Sequence, residues 1–187
     1  YMALPTEIRA WQMEKPEAPL VKRTLPVPEI GAGEVLVEVA GCGLCHTDLS
    51  FLYGGVGTKH APPLTLGHEI SGRVVAVGDG MNALDGKEVL IPAVMPCGEC
   101  ELCKMGEPRI CRSQIMPGND IDGGFASHIK VPGKYVCPVE LGDSGLELWQ
   151  LSVVADAVST PFQAAERIGI EKGDTVIVIG VGGIGTY

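Results

Sequence analysis

Runs in which apolar and polar residues alternate, or which are rich in β-branched residues, recur over five stretches of this chain, at 8–13, 34–40, 69–77, 87–91 and 126–131. A period of two puts every second side chain on one face, so each stretch predicts a half-buried β-strand. Turn signals separate them: Pro26-Val27-Pro28, Gly31-Ala32-Gly33, Gly78-Asp79-Gly80 and Gly123-Gly124. Many short strands joined by such turns predict a barrel-like or sandwich β domain. After about Asp143 the pattern changes. Residues 146–154 suit a helix, and Thr160-Pro161-Phe162-Gln163 reads as a helix start, with Thr160 as cap, Pro161 at the first position and Gln163 at the capping-box position. Gly169 suits its C-terminal stop. Asp156 is thereby expected in the connection between two helices, where a side chain can point into a cleft. Residues 175–179 (TVIVI) form an unbroken β-branched run, which predicts a strand buried on both faces of a parallel sheet.

Composition narrows the function. With 45% hydrophobic residues, 187 residues can bury a real core, enough for one full domain and the start of another. A net charge of −9 argues against nucleic acid, because phosphate binding needs clustered Lys and Arg. The longest apolar stretch, 175–185, is too short to cross a bilayer. Glu7, Arg9, Glu14 and Lys15 break up the first thirty residues, so no secretory signal is expected there, and Tyr1 before Met2 reads as a non-native leader. Seven cysteines make an odd count for a disulfide framework; a reducing cytoplasm is the expected compartment, and clustered cysteines there read as metal ligands.

Four of them, Cys97, Cys100, Cys103 and Cys111, have the spacing C-x2-C-x2-C-x7-C among polar, Gly and Pro residues. Four thiolates around a tetrahedral zinc ion form a closed structural site. The rival is an iron–sulfur cluster, but in a ferredoxin motif the fourth Cys follows after three residues and precedes Pro, whereas here the gap is seven and Arg112 follows. A second constellation is dispersed. Cys45 and His68, with Asp48 and Glu69 beside them, offer a thiolate, an imidazole and carboxylates. Asp156, acidic within Ser-Val-Val-Ala-Asp-Ala-Val, supplies a third ligand; a carboxylate among apolar neighbours is costly unless it is paired or binds a metal. Its alternative role is a helix-terminal cap. Three protein ligands plus an open position make a catalytic zinc site, able to act as a Lewis acid on an alcohol oxygen while hydride leaves the carbon. Thr47 is placed to relay the alcohol's proton, and Asp48 to hold the far nitrogen of His68. Gly180, Gly182, Gly183 and Gly185 form G-x-G-x-x-G directly after TVIVI, a dinucleotide fingerprint.

Cys45, the Gly67-His68-Glu69 run, the four-cysteine segment, GGFASH and TVIVIGVGGIG occur in one order, and together they resemble the medium-chain zinc-dependent alcohol dehydrogenase family. The resemblance implies a mixed fold: a GroES-like β-rich catalytic domain over 1–150, with a zinc lobe at about 95–112. The connecting helices, first strand and glycine loop of an incomplete Rossmann α/β domain would follow over 151–187. It implies two zinc ions, NAD as hydride acceptor, and a dimer or tetramer. By the same resemblance Cys45 and His68 match catalytic zinc ligands, and Asp156 stands where many members have Cys. Glu69 matches a carboxylate that approaches the zinc, His46 a contact of the cofactor pyrophosphate, and Thr160 a neighbour of the nicotinamide. Ser50 stands where several members have a relay His. MPGNDIDGGFASH and VVADAVSTPFQAA resemble the branch of the family that oxidises an alicyclic acyl-CoA alcohol in anaerobic degradation of aromatic acids. Polyols and simple alcohols are the rival substrates, and a zinc-stabilised binding module without catalysis is the rival class. The 187 residues are expected to be a fragment, because TVIVI without parallel neighbours would be exposed and aggregation-prone. Cys42 and Cys137 are expected to pack as small apolar residues, and His60 and His128 to lie at the surface or in loops.

Overall fold

The computed structural model describes residues 5–187; the leader reading of Tyr1 falls outside them. Strands β1 (Glu7–Met13), β2 (Val21–Pro26) and β4 (Leu64–Thr65) form an antiparallel sheet in the order β2-β1-β4. Strands β3 (Glu34–Gly43), β5 (Glu69–Val77), β6 (Glu88–Ile91), β7 (His128–Pro132) and β8 (Cys137–Pro138) form a second, in the order β7-β3-β5-β6-β8. The alternation in β1 holds up to its last residue, with Ile8 and Ala10 buried between exposed neighbours and Gln12 buried beside the buried Met13. Strand β5 is buried almost throughout its first half, because it has sheet neighbours on both edges and further structure over its faces.

Val35, Val37, Ile70, Val74, Val89, Ile91, Ile129 and Val131 fill the main core. Each such side chain contributes about 1.5–3 kcal/mol by leaving water. A smaller core gathers Met13, Leu64 and Leu66 under Phe51 and Leu52 of helix α1 (His46–Leu52). Helix α1 is therefore anchored through its C-terminal turn, which leaves its N-terminal residues free to build a site. A short helix, α2 (Glu101–Lys104), lies within the four-cysteine segment.

After β8 the expected helix takes the tighter 3-10 form, over Leu148–Ala155, and packs against β3 and β5. It comes close because Gly41 has no side chain: a Cβ there would lie 2.5 Å from the Trp149 carbonyl oxygen. Helix α3 (Ser159–Ile168) follows and stops at Gly169, whose φ of 65° is left-handed. Its start differs from the expectation. Val158 occupies the N-cap, and Thr160 lies inside the first turn without a capping bond.

TVIVI is the clearest departure. Residues 175–179 form no strand, and Ile177 and Ile179 are 82% and 95% exposed. A doubly buried parallel strand needs hydrogen-bonding neighbours and covering layers, and none of the described residues supplies them. Cys137 departs too, being exposed on the edge strand β8, while His128 opens β7 and is half-buried rather than in a loop. His60 lies exposed in a loop, and Cys42 packs against the main core as expected.

Candidate metal centre

Strand β3 ends at Gly43, two residues before Cys45, which stands at the N-cap of α1 in extended conformation. Asp48 is the third residue of that helix and is fully buried. Its Oδ2 accepts the Cys45 N–H at 3.0 Å, and its Oδ1 accepts the Gly67 N–H at 3.0 Å. One carboxylate thus ties the loop before α1 to the loop before β5. The same Oδ1 lies 3.5 Å from Nδ1 of His68, which is buried to 1% exposure. Gly67 suits this crossing for two reasons: its φ is 97°, and a Cβ would sit 2.7 Å from both the Cys42 sulfur and the Phe125 ring.

Asp156 arrives from the other end of the chain, at the C-terminal end of the 3-10 turn. Its Oδ2 lies 3.3 Å from His68 Nε2 and 3.7 Å from Cys45 Sγ, across 111 residues of sequence. Glu69 opens β5 opposite Gly43, where a Cβ would lie 1.9 Å from Glu69 Oε2, so the glycine makes room for the carboxylate. One donor atom each from Cys45, His68, Glu69 and Asp156 lies within 4.8 Å of the others. Thr47 borders the group, its hydroxyl 3.6 Å from Cys45 Sγ.

The electrostatics are those of a tight, partly dry acidic pocket. Burial opposes charge on His68, but the Asp156 carboxylate bonded to its Nε2 and the Asp48 carboxylate 3.5 Å from its Nδ1 outweigh it and raise its pKa to about 10. Asp156 is held below the usual carboxylate range, first by His68 and then, against burial, by the Thr160 hydroxyl. Glu69 is pushed up, chiefly by burial and then by the charge of Asp156. Three carboxylates around one imidazole carry more negative charge than it can balance, an arrangement that suits a divalent cation.

The four-cysteine segment folds back on itself. Its sulfurs lie 3.5 Å apart for Cys97 and Cys111, 3.5 Å for Cys100 and Cys103, 3.8 Å for Cys100 and Cys111, and 3.9 Å for Cys97 and Cys103. A disulfide would bring two sulfurs to about 2.05 Å. A tetrahedral ion with bonds of about 2.3 Å holds its sulfurs about 3.8 Å apart, which these separations match. The N–H groups of Glu99 and Cys100 point at Cys97 Sγ, at 3.5 and 3.3 Å, and the Cys97 N–H points at Cys111 Sγ at 3.3 Å. Such bonds favour thiolates.

The structure thus gathers Cys45, His68, Glu69 and Asp156, with Thr47 and Asp48 beside them, and the four lobe cysteines separately. It does not bring the glycine run to either group. Gly180 to Gly185 form an exposed turn in which the Thr186 N–H and hydroxyl bond back to the Gly182 carbonyl, and His46 is exposed at the start of α1. Three features were missed in the sequence: the close approaches at Gly41 and Gly43, and a hydrogen bond from the Thr160 hydroxyl to Asp156 Oδ1. Only the last had a signal there, since residues four apart meet on one helical face.

Comparison with known proteins agrees with this architecture. The model of the alcohol dehydrogenase GroES-like domain family matches residues 31–141. An alcohol dehydrogenase of Geobacillus stearothermophilus is 36% identical over 160 residues, 84% of this chain and 46% of the relative. An NAD-dependent alcohol dehydrogenase of Sulfolobus acidocaldarius is 31% identical over 183 residues, 94% of this chain and 52% of the relative. The cobalt- and zinc-bound thermostable alcohol dehydrogenase of Pyrobaculum aerophilum superposes with a TM-score of 0.87 at 27% identity, covering 97% of this chain and 55% of that one. This chain belongs to the medium-chain zinc-type alcohol dehydrogenase family, and its β-rich part has the GroES-like fold. It spans about half the length of the curated relatives it matches. Among the described residues no helix is long and apolar enough to cross a membrane.

Proposed function

We propose that this chain is the catalytic half of a zinc-dependent, NAD-linked dehydrogenase that oxidises a secondary alcohol to a ketone. The convergence of Cys45, His68 and Asp156 from distant parts of the sequence carries the reading. These three would hold the catalytic ion, with Glu69 in reserve, and Cys97, Cys100, Cys103 and Cys111 a structural one. Zinc in the first site supplies Lewis acidity toward an alcohol oxygen, and NAD supplies the hydride acceptor. The rest falls to the protein. Thr47 would accept the alcohol's proton and pass its own hydroxyl proton outward toward solvent as the C–H hydride leaves the carbon for NAD. Asp48 fixes the ring of His68 so that Nε2 faces the ion. His46 and the glycine run, Gly180, Gly182, Gly183 and Gly185, would meet the cofactor pyrophosphate, and Thr160 the nicotinamide. Ser50, which stands where several members have a relay His, donates its hydroxyl to the His46 carbonyl at 3.0 Å.

For the substrate we propose 6-hydroxycyclohex-1-ene-1-carbonyl-CoA, oxidised to its 6-oxo product. The support is the resemblance of MPGNDIDGGFASH and VVADAVSTPFQAA to the dehydrogenase of that step in anaerobic benzoyl-CoA degradation. A simple alcohol or polyol is the second reading, favoured by the names of the relatives in Geobacillus and Sulfolobus. A reducing cytoplasm suits a protein with this many unpaired thiols, and the whole enzyme would be a dimer or tetramer. The test is the full-length enzyme with NAD. Two zinc ions per chain and NADH formed from the hydroxy-cyclohexene thioester support both parts of the proposal. Turnover of a polyol or simple alcohol alone rejects the thioester, and one zinc ion per chain without turnover of any alcohol leaves a zinc-stabilised binding module.

A further inference from the structure

We infer that Thr160 is a positioning residue that ties up one oxygen of Asp156, so that the carboxylate meets the catalytic ion through the other oxygen alone and leaves a coordination position for substrate. The inference rests on the zinc reading above and deepens it. Aspartate differs from cysteine as a ligand in having two donor atoms. A thiolate occupies one position on a tetrahedral ion, whereas a carboxylate can bind through both oxygens and fill the position that catalysis needs open.

The first turn of α3 prevents this. The Thr160 N–H donates to the Asp156 carbonyl at 2.8 Å, and the Ser159 hydroxyl donates to the same carbonyl at 3.4 Å. The Thr160 hydroxyl donates to Asp156 Oδ1. Main chain and side chain of Asp156 are therefore both held by one residue, four positions on. Oδ2 is left as the oxygen that faces His68 Nε2 and Cys45 Sγ. The clamp exists because α3 begins at Ser159 rather than at Pro161, which places Thr160 inside the helix and frees its hydroxyl from capping.

The test compares wild type, Thr160→Ser and Thr160→Val in the full-length protein. Cobalt replaces zinc at the catalytic centre, zinc stays in the four-cysteine lobe, and no nicotinamide is added. Omitting the cofactor matters because Thr160 would also adjoin the nicotinamide, and kcat would mix the two roles. Wild type and Thr160→Ser should show the intense visible bands of four-coordinate cobalt. Thr160→Val, isosteric but unable to donate, should show the weaker bands of five-coordination. It should also lose the centre's metal to a competing chelator about 10–100-fold more readily. Unchanged bands and metal retention in Thr160→Val overturn the inference, as does a Thr160→Ser spectrum matching Thr160→Val. Thr160 is exposed, so all three proteins should unfold at similar temperatures. A wild type that takes up an ion only in the lobe overturns the catalytic-centre reading itself, a result distinct from the failure of the clamp.

Discussion

The two constellations would hold a metal in opposite ways. The lobe would draw four identical ligands from fifteen consecutive residues, 97–111, in a segment whose only helices are a four-residue α2 and a three-residue 3-10 turn at Pro108–Ile110. Little apolar burial supports it: Met105 and Ile110 are exposed, and Cys111 is the one buried cysteine of the four. The centre would draw unlike ligands from across 111 residues, and strands, two glycine approaches and a buried carboxylate hold these side chains in place. A local site can be organised by its ion, whereas a dispersed one must be organised by the fold. Metal should therefore contribute stability mainly in the lobe and reactivity mainly at the centre.

Removing one ligand from each site gives the largest expected effects. Cys103→Ser should lose the lobe ion and lower the unfolding temperature by well over ten degrees, because binding of a structural zinc, worth on the order of 10 kcal/mol, is also folding free energy. Asp156→Ala should lose the other ion and nearly all alcohol oxidation, yet unfold within a few degrees of wild type. Zinc analysis and calorimetry on the two variants check both. If Asp156→Ala destabilises the protein as much as Cys103→Ser, the contrast between the sites fails.

The next effect isolates the scaffold of the centre. Asp48→Asn keeps the side-chain size but can no longer accept from both main-chain N–H groups and offer negative charge to His68. A buried N–H left without a partner costs about 1–3 kcal/mol. Zinc affinity at the centre should fall about 10–100-fold, in line with other residues that orient a ligating histidine. Competition with a chelator measures this, and the lobe ion serves as an internal reference that should not change.

Gly41→Ala should act more mildly and at longer range. Its methyl would meet the Trp149 backbone, so the 3-10 turn must shift, at a cost of about 1–3 kcal/mol for overpacking. Asp156 rides on the end of that turn, and the loss of alcohol oxidation should exceed what the stability change explains. This position also marks the limit of what the sequence discloses. Strand alternation, the lobe spacing and the isolated acid at 156 could all be read directly, because each is a local pattern. The requirement for glycine at 41 and 43 could not, since it arises from the main chain at 149 and the side chain of Glu69. TVIVI fails for a related reason. Its composition specifies a strand, but pairing needs partners that the described residues do not include. The start of α3 was misplaced by two residues because Thr160 is a good capping residue, while its hydroxyl is engaged by Asp156 instead.

The smallest effect separates protection by metal from protection by packing. Cys137 is exposed, and Cys45, Cys97, Cys100, Cys103 and Cys111 are the ligand candidates. Cys42 belongs to neither class. Burial raises its thiol pKa well above the usual range, and its sulfur is so tightly enclosed that a Cβ at Gly67 or Gly124 would approach to 2.7 or 2.8 Å. With both ions in place, brief alkylation followed by mass spectrometry should label Cys137 alone. After chelation under conditions that preserve the β core, six of the seven cysteines should label, with Cys42 still unmodified. Labelling of Cys42 together with the ligand cysteines would mean that the metal also holds the β core closed around β3 and β5, and that lobe and centre are not mechanically independent.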